Sequence, residues 1–564
     1  MFPTPTNYRA TGLLPDLTAG LTLTILLIPQ AMAYGLLAGV DPVVGLYAAL
    51  VPMLIYALLA STPHVTVGPT ALASLLCLNG LTGVAEPFTP EYLGYAVLLA
   101  GLTGVLQILF GVFRLGGIVS LLSRPVLSGF VSAAAVLIIF SQLDTLLGVP
   151  TDRSSYFHET VLRLCRNLFA FHWPTAILGV GSLVLLLAAK RWLPPKFPTM
   201  LVLIAGATLL VAWLGKNWGI ATLEDIPSGL PAFTPPSLEL TSIKQLLPVA
   251  VVLALISFIE TLSIGKAFSP KHDYYRVIPN RELLALGLSK IFGSLFQGIP
   301  TSASFSRSAI LEEAGGRTAL SNVFAVVLLI AVLLFLTPMF YYLPIPVLAA
   351  IIIYSVRNLF DLAEMRRLGR LAPKELATLL ITFFFTLFAG LQYGIAGGVL
   401  LSLVFVFWRA ARPHLAELGR VPGTNAFRNR KRFAEAEAEN DVLIVRFDAE
   451  LYFGNAEYFR DRMEALVTER GSGLRAVVID GHTINDIDTS GVFVLTRFHE
   501  ALEKQGVELY LCGVIGPVRD KLFRHGLMER MGAEHNFLSI QSALDHLRSD
   551  KDSRGWDLPA VQHE

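Results

Sequence analysis

The sequence predicts an all-α membrane domain, built as an inverted repeat with two broken half-helices, followed by a small soluble α/β domain. Three observations carry that prediction. First, hydrophobic residues make up 54 % of the 564, charged residues only 15 %, and mean hydropathy is +0.59. A soluble globular chain is about a quarter charged, so most of this one must face lipid. Second, the charges are unevenly spread: residues 1–410 hold 24 Lys+Arg and 18 Asp+Glu, whereas residues 411–564 hold 20 and 25. A sparse, slightly basic portion therefore precedes a charge-rich, slightly acidic one, and the overall +1 hides both. Third, two Gly/Pro-broken polar segments fall at corresponding places in the apolar portion.

The elements follow in order. The first apolar run is 24 uncharged residues, Leu17 to Val40, with no short apolar core and cleavage site before it, and reads as an uncleaved first membrane helix. Longer runs follow at 42–85, 92–113, 125–143, 318–356 and 376–408. About 20 residues cross a hydrocarbon core, so the longest of these hold more than one span each. Breaking them at Pro and Gly, and adding 174–189, 200–214, 245–265 and 282–295, gives about 12 to 14 spans. Basic residues cluster at Arg114/Arg124, Lys190/Arg191/Lys196, Arg366/Arg367/Arg370/Lys374 and Arg409/Arg412, which the positive-inside rule makes cytoplasmic ends. Acidic loops at Glu86/Glu91 and Glu224/Asp225 are expected outside.

The first broken segment, 65–76, begins β-branched, breaks at Gly68-Pro69 and continues as a short run of small residues. The second, 298–309, does the same with Arg307 inside it. Such segments at matching offsets in two halves point to an inverted-repeat transporter, with two ordinary re-entrant loops as the plainer alternative. Irregular backbone at membrane depth must be buried in protein or line a cavity. Each broken helix would offer about +0.5 of dipole charge and unpaired N–H groups at its start, which together suit a small anion. Arg307, in the first turn of the second, adds a fork of donors for an oxyanion; structural pairing is the other reading. Glu260 is the only charge between Lys244 and Lys266. It would exchange a proton and so couple an anion to a proton, or else form a fixed salt bridge to Arg307 or Lys266.

The tail reads as a linker over 411–440, then strands at 441–448, 474–480, 507–514 and 537–540. Helices are expected at 455–469, 489–504, 517–531 and 541–548, which makes a small α/β domain. The turn Asp486-Ile-Asp-Thr-Ser-Gly491 caps a helix, or presents Ser490 for phosphate chemistry. Cys77, Cys165 and Cys512 lie far apart without metal-ligand spacing and are read as small buried hydrophobes. No basic stripe suggests nucleic acid, and no nucleophile–base set, phosphate loop or metal cluster suggests an enzyme or a cofactor.

At these residues the chain resembles the sulfate permease (SulP) family, whose animal members include prestin and pendrin. The resemblance spans nearly the whole length. It is carried by Asp16-Leu-Thr-Ala-Gly-Leu-Thr, Ile28-Pro-Gln-Ala-Met-Ala-Tyr34, Gly45-Leu-Tyr, Val67-Gly-Pro69, Ile259-Glu-Thr, Asn280-Arg-Glu-Leu283, Ser304-Phe-Ser-Arg-Ser308 and Gly419-Arg-Val-Pro-Gly-Thr-Asn425. In the tail, Ala449-Glu-Leu-Tyr-Phe-Gly-Asn-Ala456 and Asp488-Thr-Ser-Gly491 look like the family's STAS domain.

The resemblance implies a seven-plus-seven inverted repeat of 14 transmembrane helices, a moving core and a gate, an elevator mechanism and a homodimer. It implies domains at 1–410 (transport), 441–550 (cytosolic STAS) and 551–564 (tail). Family contacts carried to matching positions are Gln30 and Tyr34, Thr70 with the adjoining Ala71, and Ser306 and Arg307. Glu260 matches the acidic residue implicated in proton coupling in plant-type sulfate carriers. Animal members often carry an aromatic residue where this chain has Thr70, which favours an oxyanion here over chloride. Ser289-Lys290 stands where many relatives carry Asn. Ser490 matches the serine phosphorylated in anti-sigma factor antagonists, a site often unused in transporters, where a docking or trafficking platform is expected.

The expected function is therefore secondary active transport of a small inorganic anion, sulfate, with a proton, in the lipid of a bacterial inner membrane. A bicarbonate or dicarboxylate carrier, with sodium as the alternative coupling ion, a chloride/bicarbonate exchanger or channel, and a membrane-anchored signalling protein are the rivals.

Overall fold

The computed structural model describes residues 13–117, 123–150, 157–167, 170–192, 198–214, 218–223 and 227–549. Lys196, Glu224/Asp225 and the tail 551–564 lie outside the described residues. The chain divides into two compact units, Met1–Ser402 and Leu403–Glu564.

The first unit is helical because an apolar environment leaves backbone N–H and C=O groups no partners but one another. One series runs α1 (Leu13–Ala38), α2 (Pro42–Leu59), α3 (Ala71–Leu81), α4 (Pro90–Val112), α5 (Arg124–Leu147), α6 (Phe157–Asn167), α7 (Trp173–Trp192) and α8 (Thr199–Leu214). A second runs α9 (Leu240–Phe268), α10 (Pro279–Ser294), α11 (Phe305–Glu313), α12 (Leu320–Phe335), α13 (Ile345–Val356), α14 (Leu362–Leu371), α15 (Pro373–Ala389) and α16 (Leu391–Ala411). The two series match member by member. The third of each is short and preceded by a two-residue strand, β1 (Val67–Gly68) or β2 (Ser302–Ala303). The sixth of each is short, with charges on one face. Among the described residues, six helices are long and apolar enough to cross a membrane: α1, α2, α4, α5, α7 and α9. The long run at 376–408 breaks at Gly390, whose φ of +96° only glycine adopts without strain.

Packing repeats the match. Helix α4 packs on α9 as α12 packs on α1, and α4 packs on α10 as α12 packs on α2. Likewise α5 meets α15 as α13 meets α7, while α5 and α13 meet each other. Exchanging the two series therefore regenerates the contacts, which is the signature of a twofold internal repeat. The strands obey it too: β1 and β2 pair antiparallel, Val67 with Ala303 and Gly68 with Ser302.

Two carboxylates of the sequence motifs tie this unit together. Asp16, fully buried, accepts hydrogen bonds from the Arg317 and Thr318 N–H groups and from the Thr318 and Ser321 hydroxyls, fastening α1 to the start of α12. Glu282 accepts from the Tyr56 and Ser61 hydroxyls, the Ser61 N–H and the Thr62 hydroxyl, fastening α10 to the end of α2.

The second unit is a six-stranded sheet, order β4-β3-β5-β6-β7-β8, with helices α17 (Ala456–Arg470), α18 (Thr489–Glu503), α19 (Gly516–Arg524), α20 (Leu527–Met531) and α21 (Ile540–Arg548). Strands β5 (Val442–Phe447), β6 (Ala476–Asp480), β7 (Glu508–Cys512) and β8 (Asn536–Phe537) are parallel. Two expectations are corrected. The stretch read as a linker supplies β3 (Leu415–Arg420) and β4 (Phe427–Asn429), a hairpin whose β3 pairs antiparallel with β5; most of its charges, from Arg430 to Glu439, follow β4 outside the named strands, which is why the stretch reads as a solvated linker. The helix expected over 517–531 is two helices, because Gly526 takes a left-handed φ of +75° between them. Cys77 and Cys512 are buried as expected, but Cys165 is exposed on α6.

Candidate functional site

The strand pair brings the starts of the two short helices into one hydrogen-bonded assembly. The Ser304 N–H donates to the Thr66 carbonyl, and the Thr66 N–H donates to the Ser308 hydroxyl at 3.0 Å. Asn322 on α12 donates to the Pro63 and Val65 carbonyls and holds the approach to β1. Each helix start is capped. Thr70 caps α3, its hydroxyl accepting from the Ala73 N–H, and Ser304 caps α11, accepting from the Arg307 N–H, both at 3.4 Å. The first-turn donors left over are the N–H groups of Ala71 and Leu72 on α3 and of Phe305 and Ser306 on α11.

Arg307 joins the two starts. It is fully buried, and its Nη1 donates to the Pro69 carbonyl at 2.9 Å, immediately before the cap of α3. Its Nε and Nη2 have no partner. Other buried polar atoms nearby are also orphaned: the Gln30 Oε1, the hydroxyls of Thr66, Ser74 and Thr301. An unsatisfied buried group costs about 1–3 kcal/mol, so this cluster leaves donors and acceptors free to meet a ligand or water.

The expected residues distribute as follows. Gln30 and Tyr34 lie one helical turn apart on α1, both buried, just after the break in the backbone ladder at Pro29. Helix α1 packs against α3 and α11, and the charge of Arg307 acts on Tyr34. Thr70 and Ala71 are buried at the start of α3. Ser306 departs from them: its side chain is exposed beside Phe305, and Ser304, two residues earlier, does the capping. Only the Ser306 N–H belongs to the helix start.

Glu260 faces the same assembly from α9. Its carboxylate accepts a hydrogen bond from the hydroxyl of Ser302 in β2. Among the described residues it forms no ion pair with Arg307 or with Lys266, so the fixed salt bridge that the sequence left open is not made. The cations whose charges act on it are Lys290 and Arg307.

Sequence reasoning missed the neighbourhood of Lys290. This ammonium is buried on α10, 1 % exposed, and donates to the Gln107 Oε1 of α4 at 2.9 Å. Gln107 in turn donates to the Ser257 hydroxyl at 2.8 Å and the Ala254 carbonyl at 3.0 Å, one turn before Glu260 on α9. A lone lysine in an apolar helix was the available signal. Ser304 was legible from the capping rule alone.

Ser490 belongs to the second unit. It follows the cap of α18, where the Asp488 carboxylate accepts from the Gly491 N–H at 2.8 Å and the Phe453 N–H at 2.9 Å. The side chains of Phe453 and Phe493, both largely exposed, line an open hollow beside it. Asp486, at the head of the turn, pairs with Lys521, whose ammonium holds that carboxyl below the usual range.

Comparison with known proteins places this geometry. Residues 13–382 match the sequence profile of the Sulfate permease family, and residues 433–543 that of the STAS domain. The chain is 37 % identical over 544 residues to "Probable sulfate transporter 4.2" of Arabidopsis thaliana, covering 94 % of this chain and 80 % of that one. It is 33 % identical over 543 residues to "Probable sulfate transporter Rv1739c" of Mycobacterium tuberculosis, covering 96 % of each. Among solved structures it is similar to the murine Solute Carrier 26 family member A9 anion transporter in the inward-facing state. That likeness has a TM-score of 0.88 at 26 % identity and covers 97 % of this chain and 93 % of the other.

Proposed function

The chain belongs to the sulfate permease family, and on that premise we propose that it is a secondary active transporter that moves sulfate together with a proton. It is a multi-pass membrane protein and an anion transporter rather than an enzyme, with a STAS domain after the helices. The observation that carries the finer reading is Arg307: a buried guanidinium with two orphaned nitrogens, at the junction of two capped helix starts. A tetrahedral oxyanion offers acceptors for the fork, and the dipoles of α3 and α11 favour its charge. The names of the relatives make sulfate the first oxyanion to test.

The proton enters through Glu260. Charged, this carboxylate stands against an incoming dianion; protonated, it does not, so the anion and the proton load together. Ser302 links the two, because its hydroxyl bonds Glu260 while its backbone pairs with Gly68 beside Pro69 and Thr70. A change at the carboxylate is thereby felt by the strand pair that holds both helix starts. Gln30 and Tyr34 of α1 close the site from a third side, with Thr70, Ala71 and the Ser306 N–H at its floor. The two matched series would be inverted across the membrane as seven-plus-seven crossing helices. One group would carry the site past the other in elevator fashion within a homodimer. The protein would lie in a bacterial inner membrane with the STAS domain cytoplasmic, where the surroundings of Ser490 serve as a docking platform.

Equilibrium binding of labelled sulfate to the purified chain tests this reading, with bicarbonate, chloride and succinate as competitors. Saturable sulfate binding that weakens as pH rises, and that Arg307→Ala removes, is the expected result. Displacement by bicarbonate or succinate with no sulfate binding would replace the substrate.

A further inference from the structure

Lys290 stands out because its ammonium touches no carboxylate. Among the described residues no carboxylate lies within ion-pair distance of its ammonium, and its partner is the neutral amide of Gln107. Leaving a lone cation buried at membrane depth costs several kcal/mol, about 2.5–3.5 at a helix centre, unless a charge of opposite sign comes to it. The position is built rather than incidental. Gly104 on α4 and Gly287 on α10 touch so closely that a Cβ on either would lie 2.7 Å from the other's carbonyl oxygen. That contact brings the helices together, and one turn along each stand Gln107 and Lys290. The amide of Gln107 is then fixed by Ser257 and Ala254 of α9 and presents its oxygen to the ammonium.

The charged groups around the site can be enumerated from every element packed on it. Helix α9 offers Glu260; α11 offers Arg307; α10 offers Lys290, its Glu282 being taken up by Tyr56, Ser61 and Thr62. Helix α4 contributes only the neutral Gln107 at this level, α2 and α3 carry no charged residue, and α1 offers Gln30 and Tyr34, its Asp16 being taken up by Arg317, Thr318 and Ser321. With Glu260 ionised, the two cations and one carboxylate leave a single positive charge. With Glu260 protonated, two remain.

We infer that Lys290 is a second cation of the anion site, giving it, once Glu260 is protonated, the double positive charge that selects a divalent over a monovalent anion. The inference rests on the proton-coupled sulfate reading above and adds the residue that sets anion valence. Arg307 supplies directed donors, and Lys290 supplies charge through the Gln107 bracket. One proton then accompanies one dianion because that is what balances the site.

The test is equilibrium binding of sulfate and of nitrate to the full-length protein at pH 6, compared for wild type, Lys290→Gln, Lys290→Arg and Gln107→Glu. Removing a full charge from the site should cut the preference for sulfate over nitrate by about tenfold or more in Lys290→Gln. Lys290→Arg, which keeps the charge, should retain the preference. Gln107→Glu sets a carboxylate against the ammonium without removing it, at the cost of the amide's donations to the Ala254 carbonyl and to the Ser257 hydroxyl, whose own proton is held by the Leu253 carbonyl. It should reproduce the loss even if Lys290→Gln does not fold. An unchanged preference in Gln107→Glu or in folded Lys290→Gln would overturn the inference, as would equal losses for both anions, which mark general damage. Wild-type protein that binds nitrate but no sulfate would instead overturn the sulfate reading and this inference with it.

Discussion

At the scale of single residues, three ionisable side chains in apolar surroundings, Arg307, Glu260 and Lys290, set the chemistry of the site. Arg307 uses its planar fork, so Arg307→Lys keeps the charge but loses the paired donors. Losing one charge-assisted hydrogen bond is worth ~1.5–3 kcal/mol, so sulfate affinity should fall about tenfold or more. Titration calorimetry or a filter-binding isotherm reads this, and unchanged affinity would remove Arg307 from the site. Glu260→Gln mimics the protonated carboxyl permanently. It should bind sulfate and exchange it across the membrane, yet no longer accumulate it when a proton gradient is applied. Arg307 and Glu260 were legible because each is a charge inside an apolar run, a local pattern, whereas Thr70 was reached only through the family resemblance. Lys290 interrupts an apolar run just as plainly, but its meaning lay in Gln107, 183 residues away, and in a helix crossing that no local pattern records.

Elements explain that crossing. Helices α4 and α10 meet at Gly104 and Gly287, where the added Cβ would also run into Ile291 and Ile108. Gly287→Leu should force the pair apart and destabilise the transport unit by about 1–3 kcal/mol, as overpacking does. The melting temperature of the detergent-solubilised protein checks it, and an unchanged value would show that the helices separate freely. The break points of α3 and α11 could be read from Gly68-Pro69 and from the serines around Phe305, since turn and cap chemistry is local. The hairpin β3–β4 could not, because its charges resemble those of a solvated linker and its apolar residues face a sheet edge supplied from elsewhere. The second unit also carries a pH signature. Burial beside Tyr510 pushes the His535 imidazole below its usual 6.5. The unfolded chain therefore takes up more protons than the folded one below about pH 6.5, and stability falls as pH drops through that range. Amide exchange in β7 and β8, corrected for its intrinsic pH dependence, should accelerate between pH 7 and 5; a flat profile would contradict the sign.

For the whole molecule, the internal exchange symmetry and the two-unit division have separate consequences. Among the described residues of the first unit, symmetry puts the two broken helices, and no other pair, at one strand pairing, so one anion site per chain is expected. The division bears on how the second unit should be removed. Cutting after residue 440 would strand β3 and β4 without β5, leaving open backbone groups along a hairpin. Cutting after Ala411 removes the sheet whole. The shorter chain should therefore give the better-behaved protein on size-exclusion chromatography, although it lacks more residues. Equal aggregation of both would show that the hairpin is stable without its neighbour.

The central claim is that the site at Arg307 and Glu260 loads sulfate with a proton. The most direct measurement is uptake of labelled sulfate into proteoliposomes containing the purified full-length chain, with and without an inward proton gradient. The account predicts accumulation above equilibrium only with the gradient, and its loss in Glu260→Gln with exchange preserved. Equal uptake under both conditions, or gradient-driven accumulation that survives Glu260→Gln, would contradict it.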